Sequence, residues 1–144
     1  MSKSADQNVL NATDTAITFD TEQFDTNTFH DNSTNTARIT IPAGYGGKYL
    51  FIGKLSSEPL QAGGSYRGLS FRKNNGVTAY FQNFTTSAGF AATSVDWETQ
   101  GTQILNLVAG DYVEMFWYQD SGATNVVAGA STAKTTFQCQ YLGA

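Results

Sequence analysis

At 144 residues the chain is long enough for one domain with one hydrophobic core. Only 14% of the residues are charged, the net charge is -4 and there is no basic run, so we expect no nucleic-acid-binding face. Because the N-terminus lacks the apolar core of a signal peptide and no stretch approaches the roughly 18 apolar residues of a membrane span, we expect cytoplasmic synthesis and no membrane insertion.

The first 14 residues, MSKSADQNVLNATD, are polar and show no hydrophobic periodicity. Such a composition is typical of a chain end that does not pack against a core. We therefore predict a flexible N-terminal arm at residues 1–14, followed by a single domain at residues 15–144. An arm that docks on a neighbouring molecule is the alternative.

Strand-like alternation of apolar and polar residues begins after this segment. In ARITI, at residues 37–41, the isoleucines face one side of an extended chain while Arg and Thr face the other. Turns rich in Gly or Asn separate similar stretches, and no window repeats apolar residues with the period of a helix. The further predicted strands are residues 66–73, 77–84, 88–95, 102–107, 111–119 and 134–142. About eight to ten short strands predict an all-β antiparallel sandwich or jelly roll.

The stretch KYLFIGKL, at residues 48–55, is apolar on both of its faces. Leu50 and Ile52 share one face of the predicted strand, and Tyr49 and Phe51 share the other. A strand with two apolar faces is expected to lie between two buried layers.

Residues that could carry catalysis are sparse. The only histidine, His30, lies in an Asn- and Thr-rich stretch, and the only cysteine, Cys139, cannot form an internal disulfide or a zinc cluster. Asp96 and Glu98 flank Trp97 as in a glycosidase, but this spacing is common on surfaces, and we interpret the stretch as a solvated loop with one anchoring Trp. Acidic residues concentrate near the N-terminus without a Ca²⁺-loop motif. We predict no enzyme activity, no cofactor and no metal.

The most aromatic segment is YVEMFWYQ, which follows the turn at residues 109–111. One face of this predicted strand is wholly apolar, and the other is aromatic but carries a carboxylate and two phenols. The first face contains Val113, Met115 and Trp117, and the second contains Tyr112, Glu114, Phe116 and Tyr118. We assign the first face to the core. The second suits a contact with another chain, because ten Phe, seven Tyr and two Trp exceed what one small core holds.

Five segments in order resemble the C1q/TNF-like jelly-roll family over about residues 15–143. Leu107, Gly110, Asp111 and Val113 form the most specific match, the family's Leu-x-x-Gly-Asp-x-Val pattern. The closing strand departs from the family, because Gln-Cys-Gln stands at 138–140 where a glycine is usual. The five segments are ITFDTEQFD (17–25), ARITIPAGYGGKYLFIGKL (37–55), LSFRKNNG (69–76), QILNLVAGDYVEMFWYQDSG (103–122) and TTFQCQYLG (135–143).

The resemblance implies a ten-strand antiparallel jelly roll and a homotrimer with aromatic residues at the contact. We assign the trimer interface to the aromatic faces found above. The assigned residues are Tyr49, Phe51, Tyr112, Phe116 and Tyr118. Three further aromatics are candidate ligand or surface contacts, namely Tyr66, Tyr80 and Trp97.

The opening ITFDTEQFDT is similar to stand-alone domains of this family in bacteriophage virion proteins. The expected function is therefore that of a non-enzymatic, homotrimeric virion protein, made in the host cytoplasm and released by lysis. We favour a capsid decoration or spike protein attached through its N-terminal arm, because a tail fibre head would need a stalk. The alternative is a tail fibre head or adhesin that binds a host receptor or carbohydrate. Its partners would be other copies of itself, capsid or tail proteins, and in the alternative a host surface glycan.

Overall fold

The computed structural model of the chain forms two five-stranded antiparallel sheets packed face to face. It describes residues 1–58, 62–76, 79–86, 96–129 and 135–144, so the strand predicted at 88–95 lies outside the described residues. All regular elements in this part of the chain are strands, which confirms the predicted all-β jelly-roll sandwich. They are β1 (Gln7–Val9), β2 (Thr15–Ala16), β3 (Arg38–Thr40), β4 (Gly47–Ser57), β5 (Tyr66–Lys73), β6 (Ala79–Thr86), β7 (Trp97–Leu107), β8 (Tyr112–Gln119), β9 (Asn125–Val127) and β10 (Thr136–Gly143).

The first sheet is built around β4. On one side, β7 pairs with β4 along its whole length, from Gly47 opposite Leu107 to Ser57 opposite Trp97. On the other side, β10 pairs with residues 48–54 of β4, and β9 joins at Ser57 and carries β1 on its far edge. Residues of β4 therefore lie in the middle of this sheet, which places their outward side chains at the centre of its solvent face.

The second sheet is built around β8. Strand β5 pairs with one edge of β8 and carries β6, while β2 and β3 pair with the other edge. The consecutive strands β7 and β8 lie in different sheets, so the chain crosses from one layer to the other between them.

The core lies between the two sheets and is rich in aromatic rings. Phe137 of β10 sits at its centre, with ring centroids 5.3 Å from Phe71, 5.7 Å from Phe51 and 6.1 Å from Phe19. All four side chains are fully buried. Aromatic pairs at these distances add to the stability that burial of their area provides.

The N-terminal segment is part of the sandwich, so the predicted flexible arm at residues 1–14 is wrong. Strand β1 pairs with β9, and Val9 is fully buried. Lys3 is also buried, and its Nζ donates hydrogen bonds to the carbonyl oxygen of Thr18 at 2.8 Å and to Gln7 Oε1 at 3.1 Å. The prediction took the polar composition as a sign that the segment does not pack. Polar segments can also be held by hydrogen bonds, and these rather than apolar burial hold most of this one in place.

The Gly and Asp of the Leu-x-x-Gly-Asp-x-Val pattern form the turn between β7 and β8, and the contacts of that turn require these two residue types. Gly110 has φ of +89°, which favours glycine, and its N–H donates to Ile41. Asp111 Oδ2 accepts from the backbone N–H of Val108 at 2.9 Å and from Lys73 Nζ at 2.6 Å, and its Oδ1 accepts from Asn74 Nδ2 at 2.8 Å. The turn thus joins two segments of the family resemblance that are far apart in sequence.

Replacing Asp111 with Asn is expected to lower the free energy of unfolding at neutral pH by about 1–3 kcal/mol. Burial alone would raise the pKa of Asp111, but hydrogen bonds from Lys73, Val108 and Asn74 outweigh it and hold the pKa below its ordinary value. The stabilisation is therefore present above the unfolded pKa of about 3.9 and is lost as the pH falls through the lower folded value. Urea unfolding at about pH 7 and about pH 2.5 should show a smaller acid loss in the variant than in the wild type. The same acid loss in both proteins would contradict this role.

Strand β7 begins at Trp97, so the stretch interpreted as a solvated loop is instead strand from that residue onward. Pairing with β4 extends the strand because every residue from 97 to 107 finds a register partner. Glu98 lies in this strand and forms an ion pair with Lys54, with 2.8 Å between Oε1 and Nζ.

Candidate functional site

The outer face of the first sheet carries a row of exposed aliphatic side chains. Tyr49 and Phe51 of β4 point into the core, so Leu50 and Ile52 between them point outward. Ile104 of β7 lies directly opposite Leu50 in the register. Ile52 is 38% exposed and Ile104 is 55% exposed, and Leu50 is half-buried. We call Leu50, Ile52 and Ile104 the aliphatic patch.

Polar side chains surround the aliphatic patch. In the register, Gln140 of β10 flanks Leu50, while Gln138 and Thr102 flank Ile52 on its two sides. Further along β4, Lys54 forms its ion pair with Glu98. An apolar centre with a polar rim is the arrangement of a protein–protein contact.

Tyr49 and Phe51 do not lie on any surface, so their assignment to the trimer interface is wrong. Both side chains are fully buried in the core. The Tyr49 hydroxyl donates to the carbonyl oxygen of Tyr45, and the Phe51 ring packs against Phe137. The sequence separated the two faces of β4 correctly, but it could not say which of two apolar faces meets the second sheet.

The two faces of β8 are arranged as predicted. Val113, Met115 and Trp117 are fully buried in the core. Tyr112 and Phe116 lie on the opposite face, and both rings are covered by arginines of neighbouring strands. Arg38 Cζ lies 4.4 Å from the centroid of the Tyr112 ring, and Arg72 Cζ lies 4.4 Å from the centroid of the Phe116 ring. Phe116 is buried within one copy, at 8% exposed, whereas Tyr112 is half-buried beneath its arginine.

A row of charges crosses the same face of the second sheet. Glu114 has Arg38 as its register partner on one side and Arg72 on the other. Burial raises the pKa of Glu114, although the two arginines oppose that effect. Arg72 also pairs with Asp14, at 2.8 Å between Nη2 and Oδ1. The sequence did not reveal this row, because its members come from separate segments and meet only through strand register.

Of the three candidate ligand contacts, Tyr66 does not line the cleft beside Trp97. Tyr66 is 51% exposed at the start of β5. The backbone of Tyr80 lies near the opposite end of the β5–β6 pair, and its side chain lies outside the described part of the structure. Trp97 is half-buried, with its ring centroid 5.1 Å from that of Trp117, and borders a polar cleft of about 520 Å³ with Asn83.

The described residues contain no group of three or more His, Cys, Asp or Glu side chains that could hold a metal ion. Within the same part of the chain, no helix is long and apolar enough to cross a membrane.

No known protein-family model matches the sequence, and no curated protein matches it. Solved structures resemble it in fold. The globular domain of zebrafish complement 1qA protein superposes with a TM-score of 0.53 at 18% identity, covering 96% of this chain and 97% of that chain. Eiger TNF from S. frugiperda superposes with a TM-score of 0.56 at 13% identity, covering 76% of this chain and 67% of that chain. The chain therefore has the C1q/TNF-like jelly-roll fold.

Proposed function

We propose that this C1q/TNF-like chain is a non-enzymatic structural protein that assembles as a homotrimer through the outer face of its first sheet. The aliphatic patch carries the proposal. Leu50, Ile52 and Ile104 lie side by side on a sheet face, and each adds apolar area that one copy leaves exposed to water. Covering them with another copy would remove that area from water without unpairing any strand.

The aliphatic patch replaces the aromatic faces as the proposed contact. Tyr49 and Phe51 are used by the core, and Tyr112 and Phe116 are covered by arginines of the same copy. These four residues of the predicted aromatic interface thus make their main contacts within one copy. The remaining assigned residue, Tyr118, is half-buried on the outer face of the second sheet and plays no part in the proposed contact.

We further propose that the trimer is a component of a bacteriophage virion, where it decorates the capsid. The support is the similarity of residues 17–25 to stand-alone virion domains, together with a surface built from Thr, Asn and Gly rather than charge. Attachment through residues 1–14 would require separating β1 from β9 and exposing Lys3 and Val9. We therefore propose that the folded surface, and not an arm, contacts the capsid.

A tail fibre head or adhesin is the second candidate function. The observation in its favour is the polar cleft beside the half-buried ring of Trp97, since an aromatic ring next to polar side chains can stack on a sugar. Immunogold labelling of purified virions separates the roles: label over the capsid shell supports decoration, and label confined to the tail tip supports the fibre head. Virions without label would contradict both.

Sedimentation equilibrium at micromolar concentration is expected to give three times the protomer mass of 15.5 kDa. A stable interface buries about 800 Å² on each copy, so the contact must cover the polar rim as well as the aliphatic patch at its centre. A monomer mass at every concentration up to about 100 μM would contradict the proposed trimer.

A further inference from the structure

Exposed aliphatic side chains continue past the aliphatic patch at one end of the first sheet. Leu142 of β10 is 48% exposed, and Val108, the first residue after β7, is 65% exposed. Both lie where β4 begins, because they adjoin the residues that pair with Gly47 and Lys48, the first two residues of β4. One copy therefore leaves two further large aliphatic side chains in water at this end.

Val108 lies on the same face as the aliphatic patch. From Ile104 to Leu107 the side chains of β7 alternate between exposed and buried, and Leu107 is buried in the core. Val108 is the next residue and is exposed, so it continues this alternation. The outward row that contains Ile104 thus extends to Val108.

The direction of Leu142 follows from its neighbour Tyr141. The Tyr141 ring packs against the core residue Tyr49, with 5.2 Å between ring centroids, so Tyr141 points to the side of the sheet that holds the core. The register then shifts between Tyr141 and Gly143, which leaves Leu142 as the extra residue of a bulge. Because successive side chains of a strand point to opposite sides, Leu142 points outward, as Gln140 does.

Lys48 carries a charge between these two strand ends, but its ammonium group is turned aside. In the register Lys48 lies between Asn106 of β7 and Gly143 of β10. Its Nζ donates to the carbonyl oxygen of Ala144 at 3.1 Å, so its aliphatic stem runs towards the end of β10. Another molecule could therefore cover the stem of Lys48 without breaking that hydrogen bond.

The opposite end of the same face is polar. Lys54 of β4 and Glu98 of β7 form their ion pair there, with 2.8 Å between Nζ and Oε1. Gln100 of β7 is exposed and lies opposite Lys54 in the register. Covering an exposed ion pair removes its hydration, which offsets what the contact would contribute. The apolar surface of this face is thus concentrated at the end where β4 begins.

On the basis of the trimer proposed above, we propose that a second copy covers Val108 and Leu142 together with the aliphatic patch. The copies then pack most tightly at the end of the sheet where β4 begins. Each copy in a stable interface buries about 800 Å², more than the three side chains of the aliphatic patch provide. Val108 and Leu142 continue that patch along the same face, and the centre of an interface is more apolar than its rim.

The test introduces an aspartate at each of three exposed positions and follows the trimer by sedimentation velocity over a dilution series. Val108→Asp and Leu142→Asp are expected to raise the protomer concentration at which half of the trimer dissociates by at least about tenfold, because each places an unpaired carboxylate in the contact. Gln100→Asp is the matched control, since residues 100 and 108 are exposed and lie four positions on either side of Ile104. It is expected to change that concentration less than about threefold.

Melting curves establish that each variant is folded, and if Val108→Asp disturbs the adjacent turn, Leu142→Asp decides alone. Dissociation of the Val108 and Leu142 variants with an intact Gln100→Asp trimer is the expected result. The proposal is overturned if a folded Val108→Asp or Leu142→Asp stays as trimeric as the wild type, or if Gln100→Asp dissociates as readily. Ile104→Asp separates the two proposals: if it alone dissociates, the aliphatic patch holds the trimer without this end. A monomeric wild type would overturn both.

Discussion

Ile104→Asp is expected to convert the trimer into folded monomers. Ile104 lies beside Leu50 in the aliphatic patch, and covering this position with another copy would place the new carboxylate out of water and without a partner. The cost is expected to be about 3–5 kcal/mol per contact, which is roughly a hundredfold to a few thousandfold in a dissociation constant. Sedimentation velocity at micromolar protomer concentration gives the readout. Because Ile104 is 55% exposed in one copy, the melting curve of the isolated protomer should show that the fold is retained.

The matched control is Tyr66→Asp, which introduces the same charge at a residue of similar exposure, 51%, on the second sheet. It is expected to remain trimeric. If Ile104→Asp stays trimeric while Tyr112→Asp dissociates, the contact between copies lies on the outer face of β8. The trimer interface would then contain the aromatic residues of β8, as the sequence predicted. That outcome would remove the aliphatic patch from the proposed function.

Trp117→Ala is expected to cause the largest loss of stability of any single truncation in β8, about 3–5 kcal/mol. The side chain is fully buried, contacts Trp97 at 5.1 Å between ring centroids, and lies in register between Thr15 and Leu69. Removing it would leave a cavity that the paired strands on both sides cannot close. Urea unfolding gives the measurement, with all proteins at one protomer concentration, since unfolding of an oligomer depends on concentration.

Phe24→Ala is the comparison for the loss of a large aromatic side chain. Phe24 is 85% exposed, so its removal is expected to change the free energy of unfolding by less than about 0.5 kcal/mol. A Trp117→Ala loss below about 1 kcal/mol would show that the inner face of β8 does not pack as the structure has it.

Much of the fold could be predicted because its signals are local. Alternation along β8 identified Val113, Met115 and Trp117 as core, since successive side chains of a strand must point to opposite sides. The turn at Gly110 and Asp111 was also identifiable, because left-handed φ at Gly110 and the short carboxylate of Asp111 act within a few residues. The same locality explains the correct bounds of β5.

The candidate sites were less predictable because they depend on strand register. Arg38 covers Tyr112 and Arg72 covers Phe116 only because β3 and β5 flank β8 at particular offsets. No spacing within the sequence encodes these distances, so no motif could have indicated them.

The sequence by itself determined three things: that this protein is an all-β sandwich, which side chains share a face of each strand, and where the Gly-Asp turn lies. Only the tertiary structure decided that Tyr49 and Phe51 belong to the core while Leu50 and Ile52 face outward. It also decided that the N-terminal segment, residues 1–14, packs on the sandwich of its own chain through β1 and β9. Alternation has a period of two and separates two faces without giving them a direction. The direction is decided by which face meets the second sheet, and that is a property of the packed layers rather than of any one strand.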